Sequence, residues 1–215
     1  MKKSILIAVI AIFALVLSCA KNPFTGAKTL ALVPNSEILP SAFQQYNQFL
    51  TENKVVTGTT DAKKVETVGT KIKVAAERWL NANGYQDYLK DYQWEYKLVE
   101  DKAVNAWCMP GGKIVVYTGL LPVTKNEDAL AVVMGHEVAH ALARHGNERM
   151  SEGLIQQLGG VALSVAIANK PQETQNLFLN AYGIGSNIGI ALPHSRKQEL
   201  EADKFGLRFA ALAGY

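Results

Sequence analysis

Residues 129–143 carry the pattern His136-Glu137-Val138-Ala139-His140 inside a stretch that is apolar on nearly every side, with Ala129, Leu130, Val132, Val133, Met134, Leu142 and Ala143 around it. A helix that is apolar all round is a buried helix. Two imidazoles and a carboxylate placed inside it cost several kcal/mol unless something compensates them. On a helix, residues four apart differ by about 40° in direction, so His136 and His140 aim at one point. A dication at that point would compensate all three groups, and neutral imidazole suits zinc. Glu137 projects beside the same point, where it can take a proton from a water at the ion. Whatever fold this chain adopts must bury the helix yet leave these side chains a common opening.

A catalytic zinc needs a third protein ligand and an open position. His145 lies five residues past His140 and, on a continuing helix, would point about 140° away. The segment Ser195 to Asp203 is the better source. Ser195 followed by Gln198 resembles a capping box opening a helix. Glu199 and Asp203 then share a face, while Glu201 points about 160° from Glu199. This reading gives Glu199 to the metal and Asp203 to a ligating histidine, His136 first, because such a histidine usually donates its other N–H to an acid. Glu201 as the third ligand stays open as the alternative.

The rest of the chain predicts an α+β domain. Val65, Val68, Ile72, Ala76 and Trp79 recur at helical steps up to Gly84. Tyr92, Trp94, Tyr96 and Leu98 alternate with polar residues, as in a strand with one buried face. Val104 to Met109 and Lys113 to Tyr117 read as two more strands joined by Pro110-Gly111-Gly112, a turn suited to a tight antiparallel connection. Helical patterns return from Asn126. The expected architecture is mostly helical, with a small antiparallel sheet beside the motif helix. Leu154 to Ala168, apolar and broken by glycine, is either a core helix or a flap, and its length favours core.

The N-terminus reads as an address. Lys2 and Lys3 precede an apolar run from Ile5 to Leu17, too short for a bilayer core, which needs roughly 20 residues. Val16-Leu17-Ser18-Cys19 resembles a bacterial lipobox. Residues 1–18 are therefore expected to be a lipoprotein signal peptide. Cys19 becomes the lipidated first residue and the contact with a membrane, with an outer-membrane destination favoured by Ala20. Residues 19–40, with Pro23, Pro34 and Pro40, read as a tether that wraps the surface, and 41–215 as the main domain. With Cys19 lipidated, Cys108 has no disulfide partner and reads as a small buried hydrophobe. Hydrophobic residues are 48% and charged ones 19%, which excludes a disordered tail. The net charge of +3 includes Lys2 and Lys3, so nothing argues for a nucleic-acid partner.

Taken together, Pro23-Phe24-Thr25-Gly26, Asn105-Ala106, Pro110-Gly111-Gly112, Thr118-Gly119-Leu120-Leu121, the HExxH helix with His145, and Ser195-Arg196 through Glu199 to Ala202-Asp203 resemble the CAAX-prenyl-endopeptidase family of zinc metallopeptidases, in the gluzincin clan. The lipoprotein members are closer than the multispanning ones. The resemblance implies a zinc endopeptidase with one Zn2+ per chain on His136, His140 and Glu199, Glu137 as base, and Asp203 behind a histidine. It implies polypeptide substrates, misfolded or stalled envelope proteins. The mechanism then places an extended substrate along the edge strand Val104 to Met109, with Asn105 and Ala106 as substrate-binding candidates. It leaves His194, just before the capping box, as either an oxyanion candidate or an exposed loop histidine. The resemblance also implies further helices after Tyr215, so that the domain reads as C-terminally short. The competing expectation is a zinc-stabilised lipoprotein that binds outer-membrane clients without cutting; Glu137 speaks for the enzyme.

Overall fold

The computed structural model describes residues 19–159, 161–184 and 196–215. The signal-peptide expectation for 1–18, and those for His194 and Ser195, lie outside the described residues. In chain order the elements are β1 (Cys19–Lys21), β2 (Lys28–Leu30), α1 (Asn35–Glu52), β3 (Val55–Val56), α2 (Thr60–Ala82), β4 (Glu95–Val99), β5 (Ala106–Met109) and β6 (Lys113–Tyr117). Then come a short 3₁₀ turn, α3 (Leu121–Thr124), α4 (Glu127–Ala143), α5 (His145–Leu158), α6 (Leu163–Asn169), α7 (Pro171–Ala181) and α8 (Arg196–Leu212). The fold is α+β, dominated by helix. No helix among the described residues is long and apolar enough to cross a membrane.

The two longest-range helical expectations have clear local causes. At α2, the Thr59 hydroxyl accepts from the Ala62 N–H at 3.1 Å, and Val65, Val68, Ile72, Ala76 and Leu80 form a fully buried stripe. At α4, the Asn126 side chain caps the Ala129 N–H at 2.9 Å, with Glu127 and Asp128 in the positive first turn. The segment expected to be a tether is structured earlier than anticipated. β1 and β2 form an antiparallel hairpin, and α1 already begins at Asn35 and carries Pro40 inside it. Pro40 read as a breaker. The helix holds because Ile38, Leu39, Ala42 and Tyr46 bury one face across it.

A four-stranded sheet has the order β3-β4-β6-β5. It is mixed, which corrects the antiparallel expectation: β4 pairs parallel with β6 from Glu95↔Lys113 to Val99↔Tyr117, while β5–β6 and β3–β4 are antiparallel. The Gly111-Gly112 turn, with φ of +85° and +81°, folds β6 back between β5 and β4, so β6 runs in the same direction as β4. Strand bounds also tighten, to Glu95–Val99 and Ala106–Met109.

Strand alternation splits the core in two. Leu98, Ala106, Cys108, Ile114 and Val116 pack with α2, α4 and α8, whereas Val99, Trp107, Met109, Val115 and Tyr117 pack with α1, α5, α6 and α7. Helices on both faces explain why all five residues of β6 are buried. Segment 154–168 is core on one side only: Leu154, Leu163 and Ala166 are buried, while Ile155, Val165 and Ile167 face outward.

Candidate active site

The site is made where α4 crosses α8, and glycine sets the distance. A Cβ on Gly135 would stand 2.6 Å from the Gly206 carbonyl oxygen, and one on Gly206 would stand 2.6 Å from the His136 backbone nitrogen. Only hydrogen on both sides lets the backbones come this close. Glu199 and Asp203, seven and three residues before Gly206, are thereby delivered to the histidine face of α4. Asp203 Oδ1 lies 2.9 Å from His136 Nδ1. Glu199 places Oε2 at 3.5 Å from His136 Nε2 and Oε1 at 3.4 Å from His140 Nε2. The two Nε2 atoms face each other at 3.0 Å.

One ligand atom from each of His136, His140 and Glu199 lies within 4.8 Å of the others, so the three can hold one metal ion. The Asp203 contact is to the histidine expected for it. Glu201 does not join the cluster. It turns away, receives a hydrogen bond from the Asn22 side chain, and lies 3.6 Å from His145 Nε2. Its side chain is 8% exposed, not a solvated surface group.

The expected direction of His145 is also corrected. α4 ends at Arg144, which takes the left-handed conformation at φ +62°, and His145 opens α5 rather than extending α4. Arg144 Nε donates to the Tyr88 hydroxyl at 3.0 Å, and that hydroxyl donates to the Leu142 carbonyl at 2.6 Å, which holds the break. The turn swings His145 back, so that its Nδ1 lies 2.8 Å from His140 Nδ1.

His136, Glu137, His140, Arg144 and Glu199 line a cleft of about 660 Å3, a size suited to several residues of an extended chain. Asn105, just before β5, and Ala106 and Cys108 within it form one wall, and β5 has no partner on its outer edge among the described residues. Asn105 Nδ2 donates to the Gly183 carbonyl at 3.4 Å. Cys108 is buried, and burial raises its thiol pKa, in keeping with a small apolar filler. Arg149 and Tyr182, which the sequence did not single out, also line the cleft. The buried Arg149 guanidinium donates to the Ala181 carbonyl at 2.7 Å and to Gln198 Oε1 at 3.1 Å. Only its spacing, four residues after His145, could have hinted at it.

Burial tunes two groups in opposite senses. His140 is pushed down to about 4 by burial, aided by the His136 charge and opposed by Glu199, so its ring is neutral at physiological pH. Glu137 is pushed up to about 7, first by burial and then by the Glu199 carboxylate, against His136 and Arg149. Between pH 4.5 and about 7 the folded Glu137 therefore keeps a proton that the unfolded chain has lost, and this contribution to stability falls as pH rises. For His140 the sign reverses: stability falls as pH drops from 6.5 toward 4. In metal-free protein, Glu137→Gln is expected to stabilise by on the order of 1–3 kcal/mol at pH 8, with the gain disappearing near pH 4. Urea midpoints at the two pH values measure this, and a variant less stable at pH 8 contradicts it.

Two histidines from one helix and a glutamate from a second, beside a small sheet, define a zincin-like domain. Residues 70–215, more than half of the chain, match the model for Peptidase family M48, and the chain belongs to that family. It is 36% identical over 151 residues to the mitochondrial metalloendopeptidase OMA1 of Arabidopsis thaliana, covering 66% of this chain and 29% of the relative. It is 32% identical over 152 residues to the Saccharomyces cerevisiae protein of the same name, covering 70% and 41%. A beta-barrel assembly-enhancing protease of Yersinia pestis is 29% identical over 125 residues, covering 56% and 25%. The chain thus spans well under half the length of these relatives.

Proposed function

We propose that this protein is a zinc-dependent endopeptidase. The observation that carries the reading is the convergence of His136 Nε2, His140 Nε2 and the Glu199 carboxylate, with Glu137 on the same helix and a cleft beside it. Two imidazole nitrogens and one carboxylate oxygen are a donor set that fits zinc, and Asp203 engages the remaining nitrogen of His136. A zinc ion held by these three residues would supply Lewis acidity for polarising the scissile carbonyl and acidifying a water.

The chain's own groups then have separate tasks. Asp203 accepts the His136 Nδ1–H and so keeps the Nε2 lone pair turned inward. Glu137 takes a proton from the attacking water and returns it to the departing amine nitrogen. The outer edge of β5 pairs with an extended substrate through main-chain hydrogen bonds, with Asn105 and Ala106 at its start. His194 remains the oxyanion candidate. The substrates are misfolded or stalled envelope proteins, and the enzyme is held at the envelope membrane, outer membrane first, by lipid on Cys19. The name of the Yersinia pestis relative supports an envelope setting, whereas the OMA1 relatives are mitochondrial.

The test combines zinc content with cleavage of unfolded casein by the mature chain. One zinc per chain, with cleavage lost on chelation and regained on zinc return, is the expected result. Cleavage that survives full metal removal contradicts the mechanism, and zinc without cleavage turns the reading toward binding alone.

A further inference from the structure

His136 has a carboxylate directly behind it, in Asp203. His140 does not; behind its Nδ1, at 2.8 Å, stands a second imidazole, His145, only 2% exposed. Beyond His145 is Glu201, with Oε1 at 3.6 Å from His145 Nε2, and Glu201 is in turn gripped by the side-chain amide of Asn22. Asn22 is itself 2% exposed, and its Oδ1 accepts from the Phe24 N–H at 2.8 Å, in the turn of the β1–β2 hairpin. A line of polar groups thus runs from the N-terminal hairpin to the metal centre.

Neutral imidazole carries one N–H, so the line has two possible proton arrangements. If His140 holds its proton on Nδ1, it donates to His145 Nδ1. His145 then carries its proton on Nε2, facing the Glu201 carboxylate, and His140 Nε2 is a bare lone pair facing His136 and Glu199. In the reverse arrangement the proton on His140 points into the metal position, and an unprotonated His145 Nε2 faces a carboxylate, two acceptors in contact. The negative charge of Glu201 selects the first.

We infer that His145 and Glu201 are positioning residues that fix the tautomer and orientation of His140, so that the carboxylate behind this ligand acts through an intervening histidine. The inference rests on the metal-centre reading above. Loss of groups that orient a ligand typically weakens metal binding 10–100-fold.

The test is zinc affinity, by competition with a chromophoric chelator, together with the visible spectrum of the cobalt-substituted protein. His145→Phe, which removes the acceptor, is expected to weaken zinc binding toward a hundredfold and to alter the cobalt bands. Glu201→Gln keeps the size and the contact with Asn22, and is expected to weaken binding about tenfold. His145→Asn places an amide oxygen where Nδ1 stood and is expected to recover much of what phenylalanine loses, which a purely packing role would not produce. Thermal melts of the metal-free forms establish that each variant is folded. Parental affinity and spectrum in folded His145→Phe and Glu201→Gln would overturn the relay alone. A parent that binds neither zinc nor cobalt would overturn the metal centre and the relay together.

Discussion

Glu137→Gln is expected to lower kcat for peptide hydrolysis by on the order of 10^2–10^4-fold while the protein still binds one zinc. The amide has the size and shape of the carboxylate but cannot accept a proton from the attacking water. Glu137 is not among the three groups that converge on the metal position, so binding there should be untouched. KM should change little, because in the proposed mechanism the substrate is held by β5 and the cleft walls rather than by Glu137. Glu137→Asp keeps a base but withdraws it by one methylene, and should fall between parent and glutamine. Steady-state kinetics on a quenched peptide, with zinc content measured on the same samples, separate these effects. Retention of more than a tenth of parental kcat by the glutamine variant would remove Glu137 from the mechanism.

Gly206→Val is expected to cost about 3 kcal/mol of stability and to weaken zinc binding as well. The new Cβ would meet the His136 nitrogen at 2.6 Å and the Gly135 carbonyl carbon at 2.9 Å. These are backbone atoms, which cannot rotate aside, so α8 must move off α4. That movement carries Glu199 and Asp203 away from the histidines. Gly206→Ala tests the balance more finely, because alanine gains about 1 kcal/mol in a helix interior and the clash must exceed that gain. At roughly 2–4 °C per kcal/mol for a chain of this size, melting curves resolve both variants. Valine-variant stability and zinc affinity equal to the parent's would show that the close helix crossing does not set the site.

Much of the centre was legible because helical geometry acts over one turn. The common direction of His136 and His140, and of Glu199 and Asp203, follows from a spacing of four, and the structure brings both pairs together. Reading His145 as pointing away failed because it assumed an unbroken helix. Arg144 takes a left-handed conformation with neither glycine nor asparagine to announce it, held by Tyr88, a residue 56 positions away. The β5–β6 hairpin could be read from its glycines, but the parallel β4–β6 pairing depends on which strand slips between which, and no local pattern encodes that. Asn22 and Arg149 were invisible for the same reason: their partners Glu201, Ala181 and Gln198 are distant in sequence.

The order in which the chain is made bears on when the centre can exist. His136 and His140 are synthesised well before Glu199, and the helix carrying Glu199 is the last described element. Until α8 docks, the helix with the two histidines has no carboxylate ligand and no wall where α8 will lie. Closing so long a loop adds little entropy cost per residue, but it must follow translation of the whole intervening segment. A growing chain therefore carries half a centre while residues 141–198 are being made. The three groups that can hold one metal ion come together only when α8 settles against α4.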